Sequence, residues 1–363
     1  MIYNQSVFDP WPIESESVQA IITSPPYYAL RKYDIPDVII GGDKDCKHEF
    51  GSTKDKLLNL QAGNPEFKRE WRKDATQNYN NGSFCIHCNA WKGQYGLEPT
   101  PQMYVDHTLL WAKEAWRVLR NDGIMFLNLA DSYHNPTKWT NKDGAQTISK
   151  GNARDLATGR KQDCGIPSKC QLLIPHRVAI ALVDSGWTLR NTIIWYKTNA
   201  MPESVTDRFS KKYEYIFMFT KQEKYYFDLD AVREPHKTES IKRDKAGYKE
   251  SPMQGRYQVE WEKRKGTNDQ QFCNPLGKNP GDVWIITTQP SSEKHYAMWP
   301  ERLADRMIKC STKAGDTVLD CFAGSATTLK VAEQLHRKGI GIDLGYHEMS
   351  KRRTSKIQKE LFV

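Results

Sequence analysis

Long apolar runs are missing from this chain. No stretch of its 363 residues approaches the roughly 18 to 20 apolar residues that a membrane-spanning helix needs. The first residues, MIYNQSVFDPWPIESES, carry acidic groups and no basic-then-apolar pattern, so no secretory leader is expected. The expectation is a cytoplasmic protein with no membrane partner. Its eight cysteines then read as thiols or metal ligands rather than disulfides. No internal repeat is visible. An acidic excess is also absent. Lys plus Arg number 53 against 44 for Asp plus Glu, a formal charge of +9 that favours a polyanionic partner.

What is present has the grammar of an α/β sheet. The segment TPQMYVDHTLLWAKEAWRVLRNDG has helical periodicity through Leu109, Ala112, Trp116 and Leu119, with Asn121-Asp122-Gly123 as its stop. IMFLNLADSY follows as a buried strand, and a helix feeding a strand points to an α/β fold. IPHRVAIALVDSGW reads as a helix, TLRNTIIWYK as a strand, and YEYIFMFTKQEKYYFD as a two-stranded hairpin turning at TKQEK. Near the C-terminus come a helix, RLADRMIKCSTKAGD, then the strand TVLD, the loop CFAGSA, the helix TTLKVAEQL and the strand IGID.

Two short stretches carry the chemistry. TSPPYY, residues 23–28, ends the apolar run VQAII. Pro25 and Pro26 have fixed φ and no N–H, so they hold their carbonyls in set directions. Ser24 adds a hydroxyl, and Tyr27 adds a flat face with a polar tip. A plain proline strand terminator is the competing reading. In the second stretch, Gly324 and its small neighbours let a ligand approach the backbone after Asp320. Asp343 ends the next strand 23 positions on, where a nucleoside ribose finds its acceptor. The loop lacks the full G-x-G-x-x-G spacing, which argues against a pyrophosphate cofactor and suits a nucleoside such as S-adenosylmethionine.

TSPPY early and DCFAGSATT late resemble the amino-group DNA methyltransferases of the β class, in which the catalytic motif precedes the cofactor motif. HYAMWPERL, residues 295–303, is similar to the family's segment over the methionine end of the cofactor. IIWYKTNAMPESVTDRFSKKYEYIFMFTK resembles its substrate-side strands. FCIHCNAWKGQYGLEPTPQMYV and NPLGKNPGDVW are similar to a subgroup with a cysteine-bearing insertion. The resemblance covers most of the chain except roughly 134–165 and 236–270.

The resemblance implies a Rossmann-like S-adenosylmethionine-dependent methyltransferase fold with permuted motif order, a zinc-bearing insertion and a small target-recognition region. Ser24, Pro25, Pro26 and Tyr27 would be catalytic: the Ser24 hydroxyl and Pro25 carbonyl accept from the amino group of a flipped-out base, and Tyr27 stacks on it. Trp195 is either a second pocket wall or a core residue. Cofactor binding would fall to Gln5, Thr23, His295, Trp299, Pro300, Asp320, Phe322, Ala323, Gly324, Ser325, Thr327 and Asp343. Gln5 stands in NQS, where relatives often carry Gly-Asp, and offers an uncharged carbonyl to the adenine amino group. C5-cytosine methylation resembles another family, with a Pro-Cys nucleophile, and no cysteine here follows a proline.

Cys46, His48, Cys85 and Cys88 give C-x-H and C-x-x-C half-sites with 36 residues between His48 and Cys85. Thiolates and an imidazole in such pairs suit a closed structural zinc site, with His87 as an alternative to His48 and reduced thiols as the bland reading. The expected organisation is residues 1–40, 101–230 and 283–363 for the methyltransferase core, 41–100 for the insertion, and 231–282 for target recognition. That last interval has eleven Lys/Arg against eight Asp/Glu, plus Gln254, Tyr257 and Trp261, and the polar stretch 134–171 is a further DNA-facing candidate. Double-stranded DNA is the implied partner, and a companion restriction endonuclease is compatible with it. In the family that the chain resembles, a motif headed by aspartate tends to mark adenine N6 and one headed by serine cytosine N4, so the resemblance with Ser24 implies cytosine N4 over adenine N6. A non-catalytic zinc protein that binds DNA is the reading from another class.

Overall fold

The computed structural model describes residues 1–50, 83–134, 165–246, 273–289, 299–346, 350 and 352. Gln254, Tyr257, Trp261 and His295 lie outside these residues, as do most of the stretches 134–171 and 41–100 and the middle of 231–282.

Ten strands occur among the described residues: β1 Ile2–Asn4, β2 Val18–Thr23, β3 Val38–Ile40, β4 Trp91–Gly93, β5 Leu119–Leu129, β6 Thr188–Tyr196, β7 Tyr213–Thr220, β8 Val283–Ile285, β9 Thr317–Asp320 and β10 Lys338–Asp343. The helices are α1 Pro101–Val118, α2 Ile174–Asp184, α3 Thr238–Ala246, α4 Glu301–Ser311 and α5 Thr327–Gln334. None is long and apolar enough to cross a membrane. Eight strands form one sheet in the order β1-β10-β9-β2-β5-β7-β6-β8, while β3 and β4 pair separately. All neighbours in the large sheet run parallel except β7, which is antiparallel to both β5 and β6.

Alternation along β2 shows how the sheet becomes a two-faced core. Val18 and Ile21 join α1 and α2 residues such as Trp111 and Val178 on one face. Ala20 and Ile22 join Leu303 and Met307 of α4 and Val331 of α5 on the other. Helices on both faces allow the central strands to be buried throughout, as all six residues of β2 are, Gln19 and Thr23 included. Helix α1 starts where Thr100 accepts from the Met103 amide at 3.2 Å and Pro101 takes the first helical position. Its buried stripe runs through Tyr104, Trp111, Ala115 and Val118, and each large side chain there contributes about 1.5–3 kcal/mol of burial.

Two local expectations fail for tertiary reasons. Helix α1 gives way to β5 at Leu119, so Asn121-Asp122-Gly123 lies inside a strand, where the pairing with β2 shifts register. A Cβ at Gly123 would stand 2.8 Å from the Gln19 carbonyl oxygen, so only glycine permits this approach. The hairpin expected at 213–228 is half right. β7 is its first arm, but residues 225–228 form no strand; the Tyr226 amide donates to Asp122 O at 2.9 Å and that of Asp228 to Cys310 O at 2.8 Å. The neighbour in sequence that pairs antiparallel with β7 is instead β6, across a 16-residue connection.

β9 continues through α5 to β10 on one side, and β2 continues through α1 to β5 on the other. The carboxyl ends of β2 and β9 are therefore adjacent where the chain order reverses, the position at which open α/β sheets bind ligands.

Candidate active site and metal cluster

At that reversal the two sequence stretches meet. Thr23 Oγ1, fully buried, donates to Asp320 Oδ1 at 2.8 Å, and Thr328 Oγ1 donates to Asp320 Oδ2 at 2.7 Å. The Phe322 amide adds a third bond at 3.1 Å. Burial still outweighs these donors and raises the Asp320 carboxyl to about 6. Asp320 thus knots the ends of β2 and β9 to the loop that follows.

The Ser-Pro-Pro-Tyr turn is held from behind. Tyr104 donates to Pro26 O at 2.9 Å, and Ser132 Oγ donates to Tyr28 O at 3.2 Å. Gly96, with φ +96°, packs underneath; a Cβ there would stand 3.0 Å from Pro26 Cβ. Its carbonyl accepts from the Ala29 amide at 2.8 Å. The turn is therefore rigid for tertiary reasons as well as for its prolines.

In front of the turn lies a polar network. Tyr27 Oη is 2.7 Å from Glu214 Oε2 and 2.8 Å from Asn128 Oδ1, so its single proton faces two acceptors. Ser24 Oγ lies 3.2 Å from Tyr27 Oη and 3.4 Å from Asn128 Oδ1. Asn128 Nδ2 donates to Tyr215 O at 3.0 Å, which fixes its orientation. Lys197 pairs with Glu214, and its ammonium sits 4.3 Å from the Trp195 ring centroid. Burial first, and the Glu214 carboxylate second, push the Tyr27 hydroxyl well above its ordinary value, so it stays a neutral donor.

One cavity of about 350 Å³ joins this network to the glycine-bearing loop. Ser24, Pro25, Pro26 and Tyr27 line it together with Gln5, Trp299, Asp320, Phe322, Ala323, Gly324, Ser325, Thr327 and Asp343. Of the remaining expected residues, Thr23 sits behind the wall, and Pro300 caps the start of α4. Gln5 donates its side-chain amide to Pro10 O at 3.1 Å. Asp343 Oδ2 accepts from the Gly324 amide at 2.7 Å, and Oδ1 accepts from the amides of Gly345, at 2.9 Å, and Tyr346. Trp195 is 3% exposed and donates to Ile286 O at 2.8 Å, yet its ring also borders the cavity. It is both core and wall.

Asn128, Lys197 and Glu214 were not expected from the motifs. Their signal was present: a polar residue interrupts FLNLAD, and charges flank the aromatic strands as WYK and YEY. Only the pairing of β5, β6 and β7 brings the three to one point.

Away from the cavity, Cys46, His48, Cys85 and Cys88 place their ligand atoms within 4.8 Å of one another. Cys46 Sγ and Cys85 Sγ are 3.8 Å apart, and Cys88 Sγ lies 3.3 Å from His48 Nδ1. A tetrahedron with metal–sulfur bonds of about 2.3 Å has edges of about 3.8 Å, so the donor set and spacing fit zinc. His87 turns instead toward Glu49, 3.2 Å away, which leaves His48 as the fourth donor. Burial opposes the Cys85 thiolate, but the Cys88 and His87 amides and the His48 ring outweigh it and bring this thiol down to about 5.

The chain as a whole is similar to known proteins. The Type II methyltransferase M.Cfr9I of Citrobacter freundii is 30% identical over 333 residues, covering 92% of this chain and 79% of that protein. The Type II methyltransferase M.SmaI of Serratia marcescens is 32% identical over 264 residues, covering 72% and 77%. Among solved structures, the PvuII DNA methyltransferase (cytosine-N4-specific) has the same fold, with a TM-score of 0.54 at 17% identity over 99% of this chain and 89% of that one. The sheet order, the permuted motifs and this likeness identify a Rossmann-like methyltransferase fold. The N6/N4 DNA methylase family model matches residues 18–352, and the chain belongs to that family.

Proposed function

We propose that this protein is a cytoplasmic, S-adenosylmethionine-dependent DNA methyltransferase that modifies N4 of cytosine in a base flipped out of the duplex. One observation carries the reading: the Ser24 hydroxyl, in a braced turn, opens on the same cavity as the Asp320–Thr327 loop and Asp343. An exocyclic amino nitrogen is a poor nucleophile because its lone pair is delocalised into the ring. Ser24 Oγ and the Pro25 carbonyl would accept its two hydrogens, draw it toward tetrahedral geometry and free that lone pair. Because the turn is fixed beforehand, little reorganisation is needed during reaction. Tyr27 would give the base a ring to lie on, anchored at its far end by Glu214 and Asn128. Serine rather than aspartate at position 24 supports cytosine over adenine.

The residues facing the cavity fit S-adenosylmethionine. Gly324 at φ +50° and the small Ala323 and Ser325 allow close approach to backbone. Asp343 would accept from the ribose hydroxyls, Gln5 would face the adenine, and Trp299 would cover the methionine end together with His295 of the same sequence segment. When bound, the cofactor supplies an electrophilic methyl carbon, so no covalent enzyme intermediate is required.

The Cys46, His48, Cys85 and Cys88 cluster would hold a structural zinc ion that stabilises the insertion at 41–100. Residues 231–282 would recognise the target sequence. The ends of that interval meet through Glu234, which pairs with Lys278 at 3.1 Å and Arg306 of α4 at 2.7 Å. The names of the Type II relatives also make a companion restriction endonuclease a reasonable partner. Transfer of a labelled methyl group from S-adenosylmethionine to duplex DNA tests the reading: wild-type protein should label the DNA and Ser24→Ala should not. Wild-type protein that binds DNA without labelling it would favour a non-catalytic DNA-binding role.

A further inference from the structure

The connection between β6 and β7 leaves and rejoins the sheet at the rim of the cavity. Lys197 at its start and Glu214 just after it form an ion pair, and both line the cavity. Asn199 Oδ1 accepts from the amide and the hydroxyl of Thr288, each at 2.9 Å, and Thr288 lines the cavity too. Within the connection, Glu203 Oε2 accepts from Arg208 at 2.6 Å and from the Lys211 amide at 3.2 Å. The Arg208 guanidinium lies 4.1 Å from the Tyr133 ring centroid, and Lys169 pairs with Asp207 at 2.6 Å. The chain is therefore braced on both sides of residue 209.

Phe209 itself is 97% exposed. A lone exposed apolar residue needs no explanation. Here the setting supplies one. Both acidic side chains of the segment, Glu203 and Asp207, are bound internally, while Lys212 is exposed and has no ion-pair partner among the described residues. Phe209 stands five residues from Glu214, within about 17 Å of the cavity wall even at full extension. A ring held in water three residues from an exposed cation, on a connection whose two ends line the pocket proposed for a flipped base, has the make-up of a side chain that enters a base stack.

We propose that Phe209 is a wedge: it enters the duplex and fills the gap left by the extruded target base, with Lys212 against a neighbouring phosphate. This rests on the DNA methyltransferase reading above. Extrusion costs unstacking and unpairing, and an inserted ring restores part of the stacking. The wedge should matter most where the target base is well paired.

Single-turnover methyl transfer would be measured for wild type, Phe209→Ala and Phe209→Leu. The probes are a duplex carrying the site mapped in DNA from expressing cells, and the same duplex mispaired at the target base. Phe209→Ala should be on the order of tenfold slower than wild type on the paired duplex and within about threefold on the mispaired one. Phe209→Leu, still apolar, should keep most of the rate on both. An equal loss on the two duplexes, or no loss on the paired one, would overturn the wedge. Absence of transfer by wild type to either duplex would instead bring down the methyltransferase reading, and the wedge with it.

Discussion

Replacing Asp320 by Asn should change how stability depends on pH, in a direction opposite to that of most carboxylates. Burial raises this carboxyl from the ordinary 3.8 to about 6. At about 1.4 kcal/mol per tenfold change in proton affinity, that rise amounts to about 3 kcal/mol. Between about pH 4 and pH 6 the folded protein keeps a proton on Asp320 that the unfolded chain has released. Stability from this group therefore falls as pH rises through that window, and above it wild type carries the whole penalty. The Asn variant keeps one carbonyl acceptor for the Thr23 and Thr328 hydroxyls and does not titrate, so its own contribution is the same at every pH. Urea unfolding followed by tryptophan fluorescence, on both proteins in parallel, isolates the effect because other carboxylates cancel in the difference. The stability of the variant minus that of wild type should climb by about 2 kcal/mol from pH 4 to pH 7, the rest of the rise lying below pH 4. A difference that stays flat or declines with pH would refute the assignment of a buried, proton-retaining Asp320.

Asp343→Ala should weaken S-adenosylmethionine binding by about 1.5–3 kcal/mol, one charge-assisted contact, in calorimetric titration; unchanged affinity would remove Asp343 from the cofactor site. Elemental analysis of wild type purified without chelator should find one zinc ion per chain, and Cys85→Ser should lose it while the cofactor still binds; wild type without metal would sink the structural-zinc reading. Tyr27→Ala removes the stacking face, worth roughly 1–3 kcal/mol, and the loss should appear in methyl transfer at saturating DNA rather than in duplex affinity, which phosphate contacts dominate. Tyr27→Phe keeps the ring but removes the hydroxyl that Glu214 and Asn128 share, so it should fall between wild type and Tyr27→Ala in the same assay.

The motifs that were legible in the sequence are those whose residues are neighbours in the chain. Ser24 to Tyr27 and Asp320 to Thr327 each form one turn, so local chemistry announces them. The four metal-cluster positions were legible as half-sites, but the choice of His48 over His87 needed the fold, which turns His87 toward Glu49. Asn128, Lys197 and Glu214 were not legible, because three strands deliver them separately and each alone is one polar residue beside apolar ones. The same limit explains the misread hairpin. TKQEK looks like a turn between two aromatic runs, yet β7 already has β5 and β6 on its two edges and leaves no edge for residues 225–228. Asn121-Asp122-Gly123 misled for a related reason: the glycine serves a close approach to Gln19 on a neighbouring strand, which no local rule reveals.

The central claim is that the turn at Ser24 directs methyl transfer to N4 of cytosine. Mass spectrometry of nucleosides from duplex DNA incubated with the protein and S-adenosylmethionine tests it most directly. Wild type should yield N4-methyldeoxycytidine and Ser24→Ala should lose it, while DNA and cofactor affinities barely move. N6-methyldeoxyadenosine in place of the cytosine product, or a wild-type rate with Ser24→Ala, would contradict it.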